Sequence, residues 1–229
     1  MTYVRAQAGP ATAGDSDRKF TVHYFDEDGN LTIRSGGTRA WRCNNPGALL
    51  KSTYSVSKKR RAIGSAGYGE YVYAVYPDYK TGHEALVLML RGNIYGPLTL
   101  TQASKKYVEE DPGHARKIAQ MAKLDLNRTI RSLSDAEFER YWKAFEKNEA
   151  WTVGNEDFIE KWYITGVHKR KGIISEYLVH NKKTSQWISK EDGLKWALAG
   201  RLRATIVHQK TGVLFLRPPF GVKGFKFLK

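Results

Sequence analysis

Between Leu133 and Trp151 the apolar and polar positions follow the period of a helix. Leu133-Ser134-Asp135-Ala136-Glu137-Phe138 has the form of a helix start. Ser134 is placed to cap, Glu137 to reach back from three positions on, and Leu133 to staple onto Phe138. Phe138, Tyr141, Trp142 and Phe145 then recur at i, i+3, i+4 and i+7, the spacing of one buried face. Glu149 lies eleven positions beyond Phe138, and eleven steps of about 100° return to within roughly 20° of the starting direction. A carboxyl is therefore aimed along an aromatic stripe, at the last turn before Ala150-Trp151, while Glu137, Glu139 and Glu146 sit off the stripe. Apolar surroundings disfavour a charged carboxylate, and a carboxyl that holds its proton near neutrality is a general acid. If the helix instead frayed before Glu149, the side chain would be solvated.

The same reading predicts the other elements. Val22, Tyr24 and Phe25 lead into Asp26-Glu27-Asp28-Gly29-Asn30 and Leu31-Thr32-Ile33 leads out, a hairpin over Phe20 to Ile33. Trp41 to Leu50 reads as a loop punctuated by Asn44-Asn45-Pro46-Gly47. Gly64, Gly67 and Gly69 form a glycine-rich approach to a strand over Glu70 to Tyr76, which Pro77 stops. Helices are expected over Gly82 to Arg91 (capped by Thr81 with Glu84), from Thr99 with Gln102 to about Glu110, over His114 to Lys123, and over Asp135 to Glu149. Beyond Gly154 strands are expected at Trp162-Tyr163-Ile164, Ile173 to Val179, Thr205-Ile206-Val207 and Val213 to Leu216. Ser189 to Leu198 reads as a short helix. The fold class implied is α+β, with three parts: a flexible tail over 1–19, a mixed domain over 20–158, and a small basic α+β module over 159–229.

Composition narrows the classes. With 229 residues, 41% of them apolar, the chain can bury a core of ordinary size. It has no run of apolar residues long enough to span a membrane. Residues 1–19 carry no apolar leader core, so secretion through a signal peptide is not expected. The lone Cys43 excludes an internal disulfide framework. The six histidines show no metal-ligand spacing, so neither a metal nor another cofactor is expected. The net charge of +15 is uneven. Residues 161–229 hold 15 Lys/Arg against 3 Asp/Glu, and Gly29 to Gly69 holds eight basic residues and no acid. Such surfaces attract anionic polymers, of which nucleic acid and bacterial cell wall are two.

The segment Arg42-Cys43-Asn44-Asn45-Pro46-Gly47 resembles the R-x-N-N-P-G signature of a phage and bacterial family of virion-associated or secreted peptidoglycan hydrolases. The likeness continues through Ala62 to Gly67 and Tyr73 to Gly82 and closes at Asn148-Glu149-Ala150-Trp151, which is similar to the family's Glu-Gly-Trp. It covers about residues 20–155. Cys43 stands where the family usually has a third Asn, and Ala150 where it usually has Gly. A looser likeness, to lysozyme-superfamily enzymes whose catalytic Glu ends a helix, has the same pieces in rotated order and suggests a circular permutation. The resemblance implies a lysozyme-like helical lobe with an irregular β segment. The stretches Ile164 to His168, Trp187 to Gly193 and Phe215 to Arg217 resemble a small bacterial domain of unknown function.

Glycosidic cleavage needs a carboxylic acid to protonate the leaving oxygen and usually a second group as base or nucleophile. With Glu149 as acid, the β segment offers Glu70 and Asp78. Glu70 sits on the glycine-rich approach and is the expected partner. Asp78 is kept as a substrate-side residue, though it also suits the start of the next helix; Glu27 is the runner-up acid, though a hairpin tip shared with Asp26 and Asp28 suits a solvated turn. Asn44 and Asn45 have the donors and acceptors to hold N-acetyl groups, and equally suit an Asx turn before Pro46-Gly47. Trp41, Tyr71 and Tyr73 are candidates to stack on sugar faces, or to be core.

These readings point to a muramidase or lysozyme-like glycoside hydrolase with peptidoglycan as substrate; lytic transglycosylation is a variant of the same reading. It would be made in the cytoplasm and delivered, by a phage particle or a secretion apparatus, to the periplasm or wall of a target bacterium. An antibacterial effector of that kind implies an immunity protein or delivery apparatus as partner. Two other classes remain: a nucleic-acid-binding protein using the basic module with Trp187, Trp196 and Phe215, and a virion structural protein with a dead site, for which Cys43 and Ala150 speak.

Overall fold

The computed structural model describes residues 2–10, 20–52, 57–108, 111, 113–181, 183–209, 212–217 and 226–228. The architecture is α+β, as the alternating patterns predict. The chain divides into two units, Met1–Glu27 with Thr32–Asp157, and Asp28–Leu31 with Phe158–Lys229.

In the first unit β1 (Tyr3–Ala8) is central. It pairs antiparallel with β2 (Val22–Asp26), Ala6 opposite Tyr24, and parallel with β4 (Gly64–Tyr68), Ala6 opposite Gly64. The strand order is β5 (Tyr71–Val75), β4, β1, β2, β3 (Leu31–Ser35), β6 (Asn155–Ile159). The tail expected over 1–19 is thus corrected over Tyr3–Ala8; residues 11–19 lie outside the described residues. The strand escaped notice because it is held by ladders on both edges rather than by apolar alternation. Only Ala6 is buried along it, and a Cβ on the opposing Gly64 would lie 1.8 Å from the Ala6 carbonyl oxygen. The glycine-rich approach is likewise a strand, β4, because small residues let two backbones approach. The hairpin expected over Phe20 to Ile33 is present as β2 and β3.

The helical lobe comprises α1 (Arg39–Arg42), α2 (Tyr79–Arg91), α3 (Leu100–Tyr107), α4 (His114–Ala122), a single 3₁₀ turn at Ile130–Ser132, and α5 (Asp135–Glu149). In α5 the capping box forms as the spacing predicts: Glu137 N donates to Ser134 Oγ at 3.3 Å and Ser134 N to Glu137 Oε2 at 2.9 Å. Phe138, Tyr141 and Phe145 are buried, each contributing about 1.5–3 kcal/mol of apolar burial. They join Leu86, Leu90, Leu100, Ile118 and Ile130 in one core. The Thr99–Gln102 box also forms, but α3 stops at Tyr107. The cap of α2 is Asp78, whose side chain accepts from Thr81 N at 2.7 Å, so the helix starts three residues earlier than Thr81 with Glu84 predicted.

In the second unit β7 (Trp162–Arg170) pairs antiparallel with β8 (Ile173–His180), which pairs with β9 (Ser185–Ser189). Helix α6 (Lys190–Leu198) follows, capped by Ser189. Strands β10 (Leu202–Arg203) and β13 (Lys226–Leu228) run parallel to β7, while β11 (Thr205–His208) and β12 (Leu214–Arg217) form a separate pair. Ile164, Val167, Tyr177, Val179, Ile188, Leu202 and Leu216 make its core, and Tyr177 OH accepts from Leu216 N at 2.7 Å. No helix among the described residues is long and apolar enough to cross a membrane.

Candidate active site

Glu149 is the last residue of α5, so the helix does not fray before it, and its side chain is only 7% exposed. The chain then turns at Ala150, with φ 59° and ψ 153°, a region favoured by glycine. Past that turn it is stitched to the segment before α1. Thr38 N donates to Thr152 O at 2.9 Å and Thr152 N donates to Thr38 Oγ1 at 3.1 Å. The approach leaves no room for side chains: a Cβ on Gly37 would meet the Thr152 carbonyl oxygen at 2.5 Å. The Gly36-Gly37 break thus sets α1 beside the end of α5.

Arg39, first residue of α1, uses that placement. Its Nη2 donates to Glu149 Oε2 at 3.0 Å and its Nη1 to Tyr73 OH at 2.9 Å, with the guanidinium 5.0 Å from the Tyr73 ring centre. Burial works against the Arg39 charge, but Glu149 and Tyr73 outweigh it and the pKa is raised. One carboxyl oxygen is therefore held, and Oε1 accepts no hydrogen bond from the described residues.

The other wall comes from one turn back on α5. Phe145 and Glu149 are i and i+4, on the same face. Tyr107 of α3 and His114 of α4 stack on each other at 5.7 Å, and each meets the Phe145 ring edge-on, at 4.7 and 5.3 Å. His114 Nδ1 lies 2.5 Å from Ser104 Oγ. Its Nε2, and the Tyr107 hydroxyl, are buried with no hydrogen-bond partner among the described residues. Burial lowers the His114 pKa against the pull of Glu149, and burial together with the Glu149 charge raises that of Tyr107 well above the ordinary phenol value. Both side chains are neutral near pH 7. A buried polar group without a partner costs about 1–3 kcal/mol, so two of them beside a carboxyl are a feature to be explained rather than ordinary packing.

The other expected site residues are placed differently. Asn45 is fully buried: its amide nitrogen donates to Leu49 O and Ala74 O, both at 2.9 Å, and its oxygen accepts from Leu49 N. Asn44, at φ 50°, donates to Tyr76 O and accepts from Arg34. Both amides are spent on backbone and side-chain partners, so the role in holding N-acetyl groups is corrected to a structural one. Trp41 is buried under the Arg34 guanidinium, 4.9 Å from its ring centre, and offers no face to a sugar. Asp78 is a helix cap. Tyr73 is buried on Phe20 and on Arg39, inside the site rather than on its surface. Tyr71 is exposed at the start of β5. Glu70 lies exposed in the two-residue turn that joins Tyr68 to Tyr71, and forms no hydrogen bond or ion pair with Arg39, Tyr73 or Glu149. Cys43 is buried, its thiol pushed up to about 12 by desolvation, so it is not a nucleophile.

Sequence reasoning missed Glu146. Its side chain is 13% exposed, and it accepts from Tyr79 OH at 2.7 Å and contacts His83 Nδ1 at 2.8 Å. The signal was an i, i+4 pair on α2, Tyr79 and His83, facing another on α5, Trp142 and Glu146. Among the described residues no group of three or more His, Cys, Asp and Glu is arranged to hold a metal ion. In the second unit Trp196 is engaged by Trp162 and Arg201, and Trp187 lies partly exposed on His168.

Compared with family models, with curated proteins and with solved structures, the chain has no match.

Proposed function

We propose that the chain is a glycoside hydrolase of the muramidase or lysozyme type, acting on the glycan strands of peptidoglycan with Glu149 as the acid. The observation that carries the reading is the grouping around that carboxyl. Glu149 is nearly buried, tied through one oxygen to Arg39, and flanked by two neutral groups without a hydrogen-bond partner among the described residues, Tyr107 OH and His114 Nε2. Buried polar groups without partners suit a site whose partners arrive with the substrate.

In this reading Glu149 donates a proton from Oε1 to the leaving glycosidic oxygen as the anomeric C–O bond breaks. The carboxylate left behind keeps its bond from Arg39, so the guanidinium stabilises charge that develops during the step. Water completes the cleavage at the anomeric carbon. Glu70, on the β4–β5 turn, is the residue assigned to activate it, a role that requires the turn to lie on the opposite face of the sugar from Glu149. Delivery to a target cell's wall, with an immunity protein in the producer, belongs to the same proposal. Mass spectrometry of peptidoglycan digested by the full chain tests it. Soluble fragments with new reducing ends support hydrolysis, anhydro ends indicate lytic transglycosylation, and intact glycan contradicts the reading.

A second reading rests on the basic second unit with its exposed Trp187: nucleic-acid binding. Steeply salt-dependent DNA binding without release of wall fragments favours it.

A further inference from the structure

A groove of about 670 Å³ is lined by Pro46, Tyr79, Lys143, Glu146, Lys147 and Trp151, and neither Glu149 nor Arg39 is among its lining residues. Small-molecule sites run roughly 300–1,000 Å³. The groove's floor is built. Glu146 is held by Tyr79 OH and His83 Nδ1, and His83 is itself set by Trp142, whose ring meets it edge-on at 4.3 Å. Tyr79 meets Trp151 edge-on at 5.0 Å, and Trp151 is 39% exposed. Burial, with Glu146 adding to it, raises the Tyr79 pKa, so the phenol keeps its proton and remains a donor. Lys143 and Lys147 stand one turn apart on the rim. Lys143 is paired with Glu139 at 2.5 Å, an exposed i, i+4 pair that exchanges at little cost. Lys147 has no ion-pair partner among the described residues.

Three chemistries therefore meet in one groove. A carboxylate at the floor accepts from hydroxyl or amide donors. Aromatic surface takes an apolar C–H face. Two ammonium groups on the rim take an anion. A simple anion would be repelled by Glu146, and a neutral sugar would leave the lysines unused. We propose that this groove binds a sugar acid, its hydroxyl or acetamido donors on Glu146, its C–H face on Trp151, and its carboxylate between Lys143 and Lys147. Two sources carry that chemistry: the lactyl-bearing muramic acid of peptidoglycan, and the uronic acids of other polysaccharides. The muramic acid assignment rests on the proposed function; the sugar-acid chemistry does not.

The test is an NMR titration of the full chain, following the Trp151 indole N–H, identified by its loss in Trp151→Phe. The probes are N-acetylmuramic acid, glucuronic acid and N-acetylglucosamine. The expected result is that a sugar acid moves the Trp151 signal and binds about three- to tenfold more tightly than N-acetylglucosamine, the size two exposed charge contacts allow. That preference disappears in Lys143→Gln/Lys147→Gln, whose changes are at exposed positions, and persists in Glu149→Gln. Binding of glucuronic acid but not of N-acetylmuramic acid supports the sugar-acid site and counts against the wall substrate. Equal binding of acidic and neutral sugars, a Trp151 signal that does not move, or a preference unchanged in the double lysine variant overturns the proposal, whether or not the protein cleaves peptidoglycan.

Discussion

Arg39 and Glu149, 110 positions apart in sequence, meet through a single 3.0 Å ion pair that joins the first turn of α1 to the last residue of α5. The carboxylate is nearly buried and the guanidinium 34% exposed. Removing Arg39 leaves a desolvated carboxyl without its charge partner. We expect Arg39→Ala to cost about 1–2 kcal/mol, less than the roughly 3–5 kcal/mol of a fully buried pair because Arg39 is partly solvated. Glu149→Ala in the Arg39→Ala background should cost much less than in the native chain. Urea denaturation of the four proteins of the cycle checks this, and additive effects would show that the two residues do not interact.

Ala150 occupies backbone space that L side chains rarely adopt, at a cost on the order of 1–3 kcal/mol. Glycine there removes the strain and adds chain entropy of about 0.5–1 kcal/mol to the unfolded state. Ala150→Gly is therefore expected to stabilise the first unit by about 1 kcal/mol and raise its melting temperature by about 2–4 °C. A lowered melting temperature would mean that the Ala150 methyl is needed where it sits.

Asn45 separates structural from substrate-binding roles for the Asn-Asn-Pro-Gly loop. Asn45→Ala takes the side-chain acceptor from Leu49 N and one donor each from Ala74 O and Leu49 O, the latter keeping its bond from Ala74 N, and should destabilise by about 1–3 kcal/mol. The measurement is thermal stability alongside saccharide binding. A stable Asn45→Ala protein with selectively weakened binding would return this residue to the substrate.

His114 makes stability pH-dependent. Its folded pKa is lowered from 6.5 by burial, so below 6.5 the unfolded chain binds the proton that the folded chain refuses. The folded state loses stability as pH falls from about 7.5 through 6.5 toward the folded value, and then levels off. His114→Gln should flatten that limb. His23, also lowered by burial, supplies a remaining slope of the same sign. Denaturation midpoints of His114→Gln that fall with pH as steeply as those of the native chain would contradict this.

Local pattern made α5 legible: its cap, its buried stripe and the inward aim of Glu149 all follow from residues within one helix. What surrounds Glu149 was not legible, because Arg39, Tyr73, Tyr107 and His114 reach it from four other elements, and no spacing rule connects them. Asn44 and Asn45 left two roles open in the sequence because an amide that can hold a ligand can equally hold backbone carbonyls, as both do here. Strand β1 was missed because its contacts are ladders and close approach to Gly64 rather than apolar side chains. Glu146 lies off the stripe, and nothing within α5 shows that Tyr79 and His83 of α2 hold it.

The central claim stands on Glu149, and the most direct measurement is release of soluble fragments from purified sacculi by Glu149→Gln compared with the native chain. The substitution keeps the shape and an acceptor for Arg39 but removes the transferable proton. The account predicts a fall of about 10²–10⁴-fold, the contribution of acid catalysis, with the melting temperature changed little and sugar binding in the Trp151 groove retained. A folded Glu149→Gln protein that releases fragments as fast as the native chain would contradict it.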